Sequence, residues 1–184
     1  MKTQRLFLLA LLAGASGAAS ALDLPGPVVS PAWLAEHLDQ VVVLDVRSDL
    51  DGFTAAPEYE IDAKTGARKL TAAGGHIAGA RLIDFNQTRV SRMVGEVKID
   101  KMLPGGAEVQ ALVRAAGVGD KDVLVITSGG ETSDEVDMAA RLYWTLKSYG
   151  ETDLALLDGG NGAWIAAGQP VSTDPMGEVQ AGDW

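Results

Sequence analysis

Residues 41–47, Val-Val-Val-Leu-Asp-Val-Arg, constrain the fold more than any other stretch of the chain. A run so nearly unbroken in apolar, mostly β-branched side chains has no polar face to offer water. It reads as a strand covered on both sides, which a parallel sheet requires. Residues 80–84 (Ala-Arg-Leu-Ile-Asp), 123–126 (Val-Leu-Val-Ile) and 154–157 (Leu-Ala-Leu-Leu) read as three more strands. Helical signals lie between them. Ser30 is placed to cap a short helix with Pro31 at its first position and Trp33, Leu34 and Leu38 following. Residues 102–118 carry Val109, Leu112, Val113 and Ala116 at helical spacing and close on Gly117 and Gly119. A helix is expected over about 136–149, stopped by Gly150, and a short one over 163–167. Strand and helix alternating through short connections predict an α/β fold, with a mostly parallel central sheet and helices on both faces. Residues 48–75 break the pattern and read as a surface insertion with a hairpin around 64–67. Residues 172–184, with Pro175, Gly177 and Gly182 and no apolar period, read as a linker-like tail.

The N-terminus sets the expected compartment. Lys2 and Arg5 precede an apolar run at 6–12, and small residues lead to Ala19-Ser20-Ala21. This is the order of a secretory signal peptide over 1–21, cut after Ala21, and it is too short to span a membrane. The expected product is a periplasmic or secreted domain over 22–171 plus the tail, with no membrane attachment after cleavage. The formal charge is −10, and loss of Lys2 and Arg5 makes it more negative. Nucleic acid and anionic lipid are poor partners for such a surface. The chain has no cysteine, so it can form no disulfide, no thiolate metal site and no thiol nucleophile. No P-loop and no His/Asp/Glu cluster with metal-ligand spacing occurs, so neither a cofactor nor a metal is expected.

Five segments in order resemble rhodanese (sulfurtransferase) signatures: 43–47, Gly75-His76-Ile77-Ala78-Gly79-Ala80, Met102-Leu103-Pro104, Leu156-Leu157-Asp158-Gly159-Gly160, and Ala163-Trp164 with Gly168-Gln169-Pro170-Val171. The resemblance spans about 29–171 and implies the rhodanese-like three-layer α/β fold. Around Arg141 the stretch 140–150 is more similar to the non-catalytic N-terminal half of tandem thiosulfate and 3-mercaptopyruvate sulfurtransferases than to their catalytic half.

The resemblance also implies where a persulfide-carrying cysteine would stand: at Thr127 or Ser128, opening a loop whose N–H groups point at the sulfur. A hydroxyl is no substitute, because its pKa is far higher and oxygen cannot form the S–S link that passes sulfur onward. The cradle Ser128-Gly129-Gly130-Glu131-Thr132-Ser133 and the following Asp134 and Glu135 carry three carboxylates and no base, so their field opposes an anionic donor. Gly129 and Gly130 could form a nest of N–H donors for which those acids compete. A structural role is therefore expected for the loop. Ser128 or Ser133 as a nucleophile lacks a matched His–acid pair. The remaining motif residues also read as structural. Asp45 and Arg47 form an implied ion pair, His76 packs or bonds to backbone, and Asp158-Gly159-Gly160 makes a tight strand-to-helix turn. Trp33, Trp144 and Trp164 read as core or interface aromatics, and His37 as solvated. The expected protein is an exported, non-catalytic half of a tandem or split sulfurtransferase. Its expected partner is a catalytic rhodanese domain or another periplasmic protein. The alternative is a stand-alone binding module using the cradle or the 49–74 insertion.

Overall fold

A computed structural model describes residues 22–184. The export signal expected at 1–21 lies outside the described residues. In chain order the elements are β1 (Val28–Val29), α1 (Pro31–His37), β2 (Val42–Arg47), β3 (Glu58–Ile61), β4 (Arg68–Ala72), β5 (Arg81–Asp84), β6 (Val90–Val94), β7 (Val97–Met102), α2 (Gly106–Ala115), β8 (Leu124–Thr127), α3 (Ser133–Ser148), β9 (Leu154–Leu157) and α4 (Gly160–Ala166). Five strands form one sheet in the order β1-β9-β8-β2-β5, and every pairing in it is parallel. The α/β architecture with a mostly parallel sheet is thus as the strand pattern predicts.

Alternate residues of each central strand enter opposite layers, which is why these strands needed apolar side chains at every position. Leu44, Val46, Leu124, Ile126 and Leu154 pack with Val109 and Val113 of α2 and with Ala139, Leu142 and Leu146 of α3. Val43, Val125, Ala155 and Leu157 pack on the other face with Val29, with Leu34 of α1 and with Trp164 of α4. Val43 and Leu44, adjacent in sequence, belong to different clusters. The sheet is sandwiched.

Several boundaries differ from the sequence expectation, each for a local reason. α2 begins at Gly106, not Met102, because Met102 ends β7 and Pro104 follows before the helix. α3 begins at Ser133, three residues before the expected start. Thr132 caps it by accepting from the Glu135 N–H at 3.3 Å, and Glu135 reaches back to the Thr132 N–H at 3.0 Å. This reciprocal capping box satisfies N-terminal N–H groups that would otherwise be orphans. Ser133 therefore belongs to the helix rather than to the cradle loop. Ser30 caps α1 as expected, by accepting from Trp33 N–H at 3.1 Å. His37 is not free in solvent: its ring stacks on Trp33 with centroids 4.3 Å apart, and its Nδ1 lies 2.7 Å from Trp33 O.

Two antiparallel hairpins stand outside the sheet. β3 and β4 form the one expected within the insertion. Its turn is held by Asp62, whose carboxyl is kept below the usual carboxylate range by hydrogen bonds from the N–H groups of Thr65 and then Lys64. β6 and β7 form a second hairpin that the sequence reading did not foresee. β1, two residues added in parallel to β9, was also unforeseen. The tail carries no helix, yet it lies along the domain. Ser172 exchanges backbone hydrogen bonds with His76 at 2.8 and 2.9 Å. Further on, Trp184 packs against the α2–α3 layer and donates its indole N–H to Glu151 at 2.7 Å. Among the described residues no helix is long and apolar enough to cross a membrane.

Candidate functional site

The carboxyl ends of parallel strands are where an α/β sheet presents its ligand-binding residues. Here β2 ends in Asp45–Arg47 and β8 ends in Thr127, with Asp45 directly paired to Thr127 in the ladder. Both ends are buried, so their polar groups must satisfy one another. Arg47 grips Asp45 with two hydrogen bonds, Nε to Oδ1 at 2.8 Å and Nη2 to Oδ2 at 2.9 Å, and also donates to Gly75 O. The Asp45 side chain is fully buried and that of Arg47 is 9% exposed, so neither charge could be carried alone. The pair implied by the resemblance is present.

The sequence reading missed Asn161, which completes this network. Lodged between Gly160 and Gly162 at the start of α4, it is fully buried. Its Nδ2 donates to Asp45 Oδ2 at 2.8 Å, and its Oδ1 accepts from Thr127 Oγ1 at 2.9 Å. A buried chain therefore runs Arg47–Asp45–Asn161–Thr127 across the ends of β2 and β8 and into α4. A lone polar residue among glycines at a strand-to-helix turn was the available signal.

The loop 128–132 lies directly on that network. Ser128 is 2% exposed. The Asn161 and Gly162 N–H groups donate to Ser128 O and Gly129 O, both at 2.8 Å. The first N–H groups of α4 thus go to loop carbonyls. The two backbones touch, and only glycine permits this: a Cβ at Gly160 would lie 2.6 Å from Ser128 O, and one at Gly130 would overlap Gly159 O. Gly130, Gly159 and Gly160 also have positive φ, of 82°, 67° and 60°. Asp158 is exposed at this turn, and its N–H donates to Val29 O at 2.9 Å.

Two N–H donors of the loop, those of Glu131 and Thr132, are occupied from within. Glu135 Oε2 accepts from Glu131 N–H at 2.9 Å and from Thr132 N–H at 3.0 Å. Its carboxylate so fills the space beside Gly129 that a Cβ there would collide with it. Glu131 turns away and accepts from Ala73 N–H at 2.7 Å, tying the loop to the insertion that carries β3 and β4. Where Arg47, Ser48, Asp49, Gly129 and Glu135 meet, a recess of about 80 Å³ remains, far below the roughly 300 Å³ at which small-molecule sites begin. The Thr132-x-x-Glu135 spacing is a capping signature, and reading Glu135 only as a loop acid overlooked it.

His76 is buried, with its ring stacked on Phe53 at 3.7 Å and its Nδ1 2.9 Å from Phe53 O. Trp164 is buried and donates to Pro170 O at 2.8 Å. Arg141 makes no hydrogen bond to the loop among the described residues and reaches Lys101 O at 3.1 Å. Trp144 is not core: half of it is exposed, beside Arg141. Among the described residues, no group of His, Asp and Glu side chains could hold a metal ion.

Comparison with known proteins agrees with this geometry. The family model for the rhodanese-like domain matches residues 30–167. A Mycobacterium tuberculosis protein named "Putative thiosulfate sulfurtransferase" is 31% identical over 149 residues, covering 81% of this chain and 44% of its own. The thiosulfate sulfurtransferase of Gallus gallus is 27% identical over 154 residues, covering 84% of this chain and 49% of its own. The chain thus spans less than half the length of these relatives. Among solved structures, the 3-mercaptopyruvate sulfotransferase SseA of Escherichia coli shares the fold with a TM-score of 0.59 at 23% identity, over 86% of this chain and 54% of that one. The 3-mercaptopyruvate sulfurtransferase of Leishmania major does so with a TM-score of 0.58 at 22% identity, over 85% and 39%. With its parallel sheet, its strand-end network and a family match over most of its length, this cysteine-free chain belongs to the rhodanese-like domain family.

Proposed function

We propose that this chain is an exported, non-catalytic rhodanese domain, the structural or regulatory half of a tandem or split sulfurtransferase. One observation carries the reading. At the loop where a sulfur-carrying thiolate would need N–H donors, the donors of Glu131 and Thr132 are held by the chain's own Glu135 carboxylate, and no cysteine exists to use them. Sulfur transfer through a persulfide needs a polarizable thiolate and a positive local field to stabilise it. Here the nucleophile is missing, and a negative group stands where the field should be positive. What remains is a rigid scaffold whose strand ends are locked by buried hydrogen bonds. That suits a domain that shapes or regulates a cysteine-bearing partner domain. The likeness of 140–150 to the N-terminal half of tandem enzymes supports the tandem or split arrangement, and the N-terminal signal pattern supports export.

Thiosulfate-to-cyanide transfer by the purified chain is the direct test. No turnover above buffer is expected, and turnover at the level of a cysteine enzyme overturns the reading. Mass spectrometry after incubation with thiosulfate should likewise find no reducible one-sulfur adduct. The partner half of the proposal is tested in the coding DNA, where a cysteine-bearing rhodanese domain should lie in the same reading frame or in a neighbouring gene.

A further inference from the structure

Further along α3 from the loop, three cations from three elements meet. Arg141 of α3, Lys101 of β7 and Arg89, just after the 3-10 turn Phe85–Thr88, line one open cleft of about 500 Å³ with Phe85, Asp137, Ala140 and Trp144. The chain as a whole carries a formal charge of −10, so a site with three cations to one carboxylate runs against its overall field. Among the described residues, none of the three takes part in an ion pair. Arg89 makes one long hydrogen bond, to Asn86 Oδ1 at 3.4 Å, and Arg141 reaches only Lys101 O, while its Nε has no partner.

The backbone under Lys101 is a second observation. Val90 pairs with Met102 and Arg92 with Ile99, so Ser91 faces both Asp100 and Lys101, and the hairpin bulges there. Lys101 sits in that bulge at φ 60°, the only non-glycine residue with positive φ among those described. Bulges re-aim side chains, and this conformation favours glycine at such a position. Strained backbone of this kind clusters at ligand sites. In this chain the strained residue is a lysine lining the cleft.

The walls narrow the ligand further. The Arg89 guanidinium lies over the Phe85 ring at 4.3 Å and that of Arg141 over the Trp144 ring at 5.0 Å, so each cation is presented beside an aromatic face. The adjoining part of the cleft adds Asp134 to Asp137 against Arg89 and Lys101 and is electrically balanced. The anion therefore belongs at the Arg141–Trp144 end. We propose that this cleft binds a small organic carboxylate with a planar apolar body, the carboxylate among Lys101, Arg89 and Arg141 and the body against Trp144 and Phe85. The inference does not depend on the loop being inactive.

Calorimetric titration of the full chain with phenylacetate at low salt tests it, with inorganic sulfate, phenethylamine and a pentaglutamate peptide as parallel probes. One phenylacetate should bind per chain, more weakly as salt rises, and change the Trp144 emission that a Trp144→Phe variant lacks. Sulfate should bind more weakly and phenethylamine not at all. Arg89→Gln and Lys101→Gly should each weaken phenylacetate about tenfold, equivalent to about 1.4 kcal/mol. Lys101→Gly also relieves the strained backbone, so its melting temperature should hold or rise while binding falls. A lysine with a merely structural role would leave binding unchanged in that variant. The proposal is overturned by absence of phenylacetate binding, by sulfate binding as tightly, by affinity indifferent to these variants, or by tighter binding of the peptide, which would make the surface a protein-docking face.

Discussion

One helix, α3, borders two polar regions built on opposite terms. At its N-terminus, Glu135 closes a loop where several polar groups are paired inside the protein: Arg47 with Asp45, Asn161 with Asp45 and Thr127, and Glu135 with the N–H groups of Glu131 and Thr132. Along the following turns, Asp137, Arg141 and Trp144 face a cleft whose three cations form no ion pair among the described residues, although Asp137 lines it too. A buried polar network that is complete can specify one structure, while a half-satisfied one is costly. Partly exposed cations need no partner in the chain and remain available to another molecule. The motif region is thus the one bonded within the chain, and the cations without an ion-pair partner among the described residues lie on the flank.

This contrast is broken most directly at Asp45. Asp45→Ala leaves the Arg47 guanidinium buried without its carboxylate, and the loss of stability should be about 3–5 kcal/mol, read by urea denaturation. A loss under about 1 kcal/mol would mean that the network is not buried as described. Asn161→Ala should come next, at about 1–3 kcal/mol, because it removes one of the two donors to Asp45 Oδ2 and the main acceptor of the Thr127 hydroxyl together. A double-mutant cycle of Asn161→Ala with Thr127→Val should be non-additive, since the two side chains share a hydrogen bond. Simple additivity would separate Thr127 from the network.

The parallel sheet was legible because its signal is dense. Residues 41–44, 123–126 and 154–157 are apolar on both faces, as strands covered on both sides of a parallel sheet need to be. The Asp45–Arg47 pair was legible because a charge at the end of a buried strand needs a partner, and the resemblance named it. The partners of Asn161 were not legible, because they lie 116 and 34 residues away in the chain and meet only when β2, β8 and α4 are assembled. The β6–β7 hairpin hid for a different reason. Its strands carry mixed side chains such as Ser91, Arg92, Lys98 and Asp100, and Met93, Val94, Val97 and Ile99 remain exposed, so no clean period marks it. The cleft depends on that hairpin for Lys101, and so it could not be assembled from sequence either.

The cap that fills the loop sharpens the comparison at a smaller scale. Thr132→Ala removes the acceptor for the Glu135 N–H and should cost about 1 kcal/mol by urea denaturation. Introducing a thiol by Ser128→Cys should yield an unreactive one. The position is 2% exposed, and the Glu131 and Thr132 N–H groups of its loop already bind Glu135. Alkylation by iodoacetamide at neutral pH no faster than that of an ordinary thiol is the expected result. Rapid alkylation would show that the loop can still stabilise a thiolate.

Lys101→Gly tests the other side with the smallest effect and the opposite sign. Substitution within a satisfied network can only remove hydrogen bonds, so every change at Asp45, Asn161 or Thr132 should destabilise. Lys101 holds a left-handed backbone that costs a side-chain-bearing residue about 1 kcal/mol or somewhat more, and glycine adopts it freely. Part of that gain is offset by the greater flexibility of glycine in the unfolded chain, leaving a net stabilisation of about 0.5 kcal/mol. A measured gain, however slight, says that the fold tolerates this lysine rather than requiring it. A loss of 1 kcal/mol or more on the same scale would place Lys101 among the structural residues and erase the difference between the two regions along α3.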